Sequence, residues 1–449
     1  MMRRMATVAQ EAPARERTVR EGVPPGPRLP GVLQSVGIVT RPLGFVRACR
    51  RRYGPTFTVT FAPFGEVVYL TEPQDVKAAF TGDAKTFHTG EARASLAPIL
   101  GQRSLLLLDE DTHLRERKLM LPPFHGERLR AYEAAMAEIT AEEAGRIPLG
   151  APVALRSHMQ AITLEVILRV VIGTREPERL DPLRAALSRL MAIHPLTILG
   201  AAWTGRDLGP ASPYRRIIRL RDAADELIYD EIARRRERPG GDDMLSMLVE
   251  ARDEEGRGLD DEALRDELVT LLLAGHETTA TGLAWAFERL VRHPEVMARL
   301  RDEVAGDEYA YLDAVIKEVL RVRPVVTDVA RQLTAPAELA GWRLPAGTTV
   351  MSSVSAIQLS SDHWPDPSAF RPERFLDAQP DPYTWIPFGG GVRRCIGASF
   401  ALVEMRVIMR ELLRRLEFRA ARPEPERGRV RHVTFAPARD CEVVASAAS

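Results

Sequence analysis

The sequence predicts a mainly α protein with a small β-rich region, an α+β fold. Helical periodicity dominates the middle of the chain, from about Leu129 to Arg323, while strand-like alternation is confined to the two flanks. The length of 449 residues suggests about three domains, but no Gly/Ser-rich or charged linker divides them. One large domain over 23–449 is therefore expected, preceded by an extension, 1–22, that reads as disordered.

That extension is rich in Arg, Glu and Ala and has no apolar core segment, so neither a signal peptide nor a membrane anchor is expected. Pro24 to Gly31 reads as a stiff, extended entry. Thr56 to Leu70 alternates, with Phe57, Val59 and Phe61 on one face and a turn at Pro63–Gly65, which predicts a hairpin. Among the helices, the Pro- and Gly-punctuated stretch from Ile193 to Pro213 is a connector or a mobile lid. A long helix is predicted from Asp260, a cap, to Arg292, with Asp261 and Glu262 in its first turn and Pro294 beyond its end. At about 1.5 Å per residue it spans roughly 50 Å, enough to cross the domain. After Pro324 come short strands, Val329–Leu333, Trp342–Leu344 and Thr348–Val354, then proline-rich coil to Pro387. A helix over Ala398–Leu416 follows, and Val430–Phe435 with Cys441–Val444 reads as a closing strand pair.

Sixty-two basic and 62 acidic residues cancel, which argues against nucleic acid as the main partner. Three widely spaced cysteines suggest no disulfide framework and hence a reducing, cytoplasmic setting. The longest apolar stretch, Leu268 to Ala274 broken by Thr270, is too short to span a bilayer.

The most informative run is Phe388-Gly-Gly-Gly-Val-Arg-Arg-Cys-Ile-Gly397. Its glycines allow left-handed angles and a close approach to a flat object. Cys395, beside two arginines and ahead of a helix, has its thiolate favoured. A lone thiolate on such a loop suits haem iron, although a free cysteine is as often a small buried hydrophobe. No Cys-x-x-Cys pair supports zinc or iron–sulfur, and no phosphate-binding glycine pattern is present. Phe388, Gly391, Arg393, Cys395 and Gly397 match the Phe-x-x-Gly-x-Arg-x-Cys-x-Gly motif, and over roughly 25–445 the chain resembles the cytochrome P-450 superfamily.

The resemblance implies a fold in which a single haem b lies between the long central helix and the helix after the cysteine. It implies Cys395 as the iron ligand, with Phe388, Gly389 and Gly397 shaping its loop. Ala274-Gly275-His276-Glu277-Thr278-Thr279 resembles the family's oxygen-side motif. Ala274 and Gly275 would leave room for oxygen and substrate, Thr278 would hydrogen-bond dioxygen, Glu277 would pass protons inward, and His276 would be a bystander. Taken alone, that run is a glycine, an acid and hydroxyls in mid-helix, where hydroxyls bond back to carbonyls and open the ladder, or else a polar interhelix contact. Glu318 and Arg321 share a helix face, and the resemblance links them to Arg374 in a network holding the cysteine loop. His113 and Arg117, spaced i, i+4, with Arg331 and Arg393, resemble the haem-propionate partners.

The activity implied is that of a haem-thiolate monooxygenase placing one oxygen atom of O2 in a hydrophobic small molecule. Electrons would come from a ferredoxin or flavodoxin with its reductase, docking on Arg393, Arg394 and Arg406. A peroxide-driven enzyme and a non-catalytic haem sensor or carrier are the alternatives. By position, Phe87 to Leu106, Leu271, Ala274, Val325 to Asp328 and Val433 to Phe435 would line a mostly apolar pocket.

Overall fold

The computed structural model describes residues 19–448 except 63–64, 175, 192, 194–196, 198–208, 210–211, 307 and 378. Most of the Ile193–Pro213 connector and the centre of the Pro63–Gly65 turn thus lie outside the described residues. The central helix, Asp261–Leu290, begins where the cap predicts: the Asp260 carboxylate accepts the Ala263 N–H at 2.9 Å. It is buried on nearly every side. Around it pack Leu155–Ile167, Pro213–Glu237, Ala310–Val322, the strand Thr434–Pro437, and the helix Ala398–Arg415 that follows Cys395. The buried residues of the central helix include charged ones, Arg265, Asp266 and Glu267, so the wrapping elements must supply polar partners as well as apolar contact.

The principal sheet has five strands, in the order Thr56–Phe61, Gly65–Leu70, Thr349–Ser353, Asp328–Leu333 and Phe87–His88. Both flanks of the chain therefore meet in one sheet, as the alternation predicts. Val59 pairs with Val67 across the hairpin, and Val68 with Val350 across the parallel junction that brings the two flanks together.

The tail departs from expectation. Val430–Phe435 and Cys441–Val444 are not partners. Gly428–Arg431 turns back at His432-Val433 onto Thr434–Pro437, making a hairpin of its own. Glu442–Ala447 joins a different sheet, between Leu416–Ala420 and Pro152–Ala154. Arg20 and Glu21, within the segment expected to lack structure, instead pair in parallel with the strand Trp342–Leu344. Pro30 and Gly31, read as extended coil, instead open a helix, Gly31–Thr40.

Candidate active site

The cysteine loop is held by its own backbone and by Phe80. Gly389 and Gly391 take φ of 68° and 64°, in the left-handed region. A Cβ on Gly391 would sit 2.0 Å from the Phe80 carbonyl oxygen, so no other residue fits there. The Cys395 N–H donates to the Phe388 carbonyl at 2.9 Å and closes the loop. Phe388 meets Trp385 edge-on, with centroids 6.2 Å apart.

Cys49 and Cys441 are buried, as small hydrophobes are, but Cys395 is not: its side chain is reachable by a water-sized probe although protein crowds it. That crowding raises its pKa. The Gly397 N–H, Arg117, Arg394 and Arg93 pull the other way without overcoming burial. The expectation of a favoured free thiolate is thus corrected. Desolvation outweighs the helix terminus and the arginines, and a bound cation is needed to hold the anion.

Facing this loop is a concentration of positive charge. Arg331 is 2% exposed, and burial followed by repulsion from Arg93 and Arg393 lowers its pKa to about 9. Among the described residues it hydrogen-bonds only the neighbouring Ala330 carbonyl, at 2.9 Å, and its guanidinium lies over the Phe80 ring. Arg393 donates to Asp109 and to the Leu105 and Leu108 carbonyls. Arg117 donates to the Arg394 carbonyl at 2.7 Å. His113 is buried rather than on a solvated face, and burial with Arg393 and Arg117 pushes its pKa down to about 3. Asp109 is the one acid prominent in this group, and it is also occupied by the Thr89 and Gly90 N–H groups at 2.8 and 2.9 Å. Arg93, Arg331 and Arg393 gather near Asp109, with Arg117 beside Arg393, and this partly buried group carries an excess of positive charge. A dianion such as the two propionates of haem fits that excess. Arg93 was not legible from the sequence: it lies within the Phe87–Leu106 stretch, where one arginine among so many carries no signal.

On the opposite wall, the central helix shows an exposed residue, Ala274, among buried ones. The Thr278 hydroxyl donates back to the Ala274 carbonyl at 2.7 Å, the back-bond expected of a mid-helix hydroxyl, while the helix itself stays continuous. A Cβ on Gly275 would lie 2.4 Å from Ile167 Cδ1, so the glycine lets the Leu155–Ile167 helix come close. Glu277 turns toward that helix, where Arg156 and, at 2.8 Å, Gln160 donate to its carboxylate. Arg156 also reaches Asp440 at 3.3 Å. His276 pairs with the Thr163 hydroxyl at 3.0 Å, a helix-to-helix tie beside Glu277 and Arg156.

Ala274 and Glu277 border a cavity of about 940 Å³. Leu96, Ile99, Leu100, Leu106 and Val433 supply apolar wall as expected, but Leu271 and Val325–Asp328 do not line it. Phe435 packs on Trp285 instead, at 6.0 Å, and its N–H donates to the Val325 carbonyl. Phe87 faces the Arg331–His113 group. The cavity is also less apolar than expected, because Arg146, Arg156, Arg169, Arg184, Glu142 and Glu165 form a charged side.

Behind the loop, Glu318, Arg321 and Arg374 do come together. Arg321 donates to both Glu318 oxygens, and Arg374 Nε stands 3.5 Å from Glu318. The proposed docking arginines do not form a free patch. Arg393 is spent on Asp109, and Arg406 makes a two-bond pair with Asp313 at 2.7 and 2.8 Å, leaving Arg394 exposed.

A family model described as cytochrome P-450 matches residues 23–431. The chain belongs to the cytochrome P-450 family. It is 46% identical over 433 residues to a provisionally named cytochrome P-450 135B1 of Mycobacterium tuberculosis, covering 94% of this chain and 91% of that one. It is 40% identical to the similarly named 135A1 of the same organism, covering 94% of each. The structure of a retinoic acid-bound cyanobacterial CYP120A1 superposes with a TM-score of 0.83 at 24% identity, over 95% of this chain and all of that one, which bears on the fold alone. The fold is that of a P-450, and the protein is a haem b-binding oxidoreductase of the monooxygenase type. No helix among the described residues is long and apolar enough to cross a membrane.

Proposed function

We propose that this P-450 inserts one oxygen atom of O2 into a hydrophobic small molecule, by hydroxylation or epoxidation, with electrons drawn from a separate ferredoxin or flavodoxin system. The observation that carries the reading is the exposed Cys395 beside a surplus of partly buried arginines, with Ala274 exposed on the central helix. Haem b bound there supplies oxygen activation at iron.

The chain's own residues do the rest. Cys395 would hold the iron as thiolate, relieved of the desolvation penalty by the metal's charge. Arg93, Arg117, Arg331, Arg393 and the neutral His113 would hold the propionates, and Gly389, Phe388 and Gly397 keep the loop in register. Ala274, exposed on the central helix, would leave space for oxygen and substrate. Thr278 presents a hydroxyl that can leave the Ala274 carbonyl and donate toward the reacting oxygen. Glu277 borders the cavity, and its carboxylate would relay a proton inward when it swings away from Arg156 and Gln160. The apolar wall with a charged side favours a substrate with a hydrocarbon body and a polar end.

Thr278→Ala tests this. Substrate binding, read as the spin-state change of the haem spectrum, should persist while electrons from the reductant are diverted into hydrogen peroxide. Product formation that stays fully coupled to electron consumption overturns the role of Thr278. Turnover with peroxide alone, and none with a reductase system, would favour the peroxide-driven reading.

A further inference from the structure

The charge of this chain is neutral overall but not evenly spread. Between Val23 and Gly65 there are six arginines, Arg28, Arg41, Arg47, Arg50, Arg51 and Arg52, and no acidic residue at all. Arg50 is consumed by Glu72 and Asp362, whereas the other five are exposed and form no ion pair among the described residues.

The same segment turns its apolar residues outward. Leu29 and, on the helix Gly31–Thr40, Val32, Leu33, Val36 and Val39 are between 50% and 66% exposed. Their spacing makes one face of the helix. The inward face carries Gln34, only 2% exposed. The inversion is fixed by hydrogen bonds. Gln34 donates to the Pro27 and Leu29 carbonyls at 3.1 and 2.7 Å and accepts the Thr60 N–H at 3.0 Å, while Ser35 accepts the Ala62 N–H at 2.8 Å. The helix cannot roll its valines inward without breaking all four.

This helix packs on the strand Gly428–Arg431, whose hairpin turn contributes Arg431, His432 and Val433 to the large cavity. Val430 and Val433 are themselves exposed. The apolar face thus lies next to the hairpin that borders the cavity, and the next helix, Pro42–Tyr53, which packs against Gly31–Thr40, carries Arg47, Arg51 and Arg52 exposed.

We propose that the Gly31–Thr40 helix and the arginines around it dock this protein on the surface of an anionic lipid bilayer, with the cavity rim against the acyl boundary. An apolar helix face rimmed by guanidinium groups matches the headgroup–acyl interface in both its layers. Two copies of so basic a face would repel each other, which disfavours self-association. Docking itself does not depend on the monooxygenase reading, and its test reads no turnover.

The test is sedimentation of the full-length, haem-loaded protein with vesicles of phosphatidylglycerol or of phosphatidylcholine. The anionic vesicles should carry the protein down, the neutral ones should not, and binding should weaken as salt rises. Arg51→Gln with Arg52→Gln should reduce partitioning about 30-fold, at roughly 1 kcal/mol per charge. Val32→Glu with Val36→Glu should abolish it, with the haem spectrum unchanged. Arg128→Gln with Arg130→Gln, arginines elsewhere on the surface, should have no effect. No sedimentation with anionic vesicles overturns the proposal, as does equal loss in the Arg128/Arg130 variant. A dimer in solution that the Val32/Val36 variant dissociates would assign the face to a second copy instead.

Discussion

Arg321 donates two hydrogen bonds, of 2.7 and 2.8 Å, to the two oxygens of Glu318, and neither side chain is exposed at all. The remaining guanidinium protons go to the carbonyls of Gln358, Pro367 and Ala369, at 2.8, 2.9 and 3.0 Å, and Glu318 also accepts the Arg371 N–H at 2.8 Å. One fork thus fastens a helix to the coil that leads into the cysteine loop.

Glu318→Gln should strand the Arg321 charge. Breaking one partner of a buried pair typically costs about 3–5 kcal/mol, and here the loss falls on the coil that positions Cys395. The expected outcome is protein that accumulates with little haem. The ratio of haem absorbance to protein checks it, and a variant with full haem content refutes the role of the pair.

How much of this was legible beforehand depended on how local each signal was. The loop around Cys395 and the central helix announce themselves, one by its glycines and the other by Asp260 and the apolar residues of Leu268 to Ala274. The closing strands did not. Glu442–Ala447 finds its partner in Pro152–Ala154, nearly 300 residues away and without alternation of its own. The Cys395 thiol was misjudged for the same reason, since distant segments supply the crowding that raises its pKa. The Gly31–Thr40 helix was hidden because its valines face outward, where periodicity normally predicts polar residues. The charged side of the cavity comes from Arg146, Arg156, Arg169 and Arg184, each unremarkable among so many arginines.

His276 should set part of the acid limit of stability. Burial, with Arg156 adding to it against Glu277, lowers its pKa from 6.5 to about 4. Between those values the unfolded chain takes up a proton that the folded chain refuses. Stability therefore falls with pH from 6.5 down to 4 and levels off below, at about 1.4 kcal/mol per pH unit for this one group. His276→Gln should flatten that limb by the same amount while keeping a partner for Thr163. Urea midpoints at pH 4.5, 5.5 and 6.5 measure the slope, and an unchanged slope would mean that His276 titrates alike in both states.

Glu404 should act with the opposite sign. It is buried on the helix that follows Cys395, with Thr279 of the central helix as its hydrogen-bonding neighbour, and desolvation raises its pKa from 4.5 to about 8. The folded chain then keeps a proton that the unfolded chain releases, so this group's contribution is fully present below pH 4.5 and is lost as pH rises toward 8. Glu404→Gln copies the neutral acid and cannot ionise in either state. It should be close to neutral at pH 4.5 and stabilising at pH 8, by several kcal/mol at most. Urea midpoints at the two pH values decide it. A variant no more stable than the parent at pH 8 would show that the carboxyl is ionised in the folded protein, and that the gap between the two helices admits enough water to solvate it.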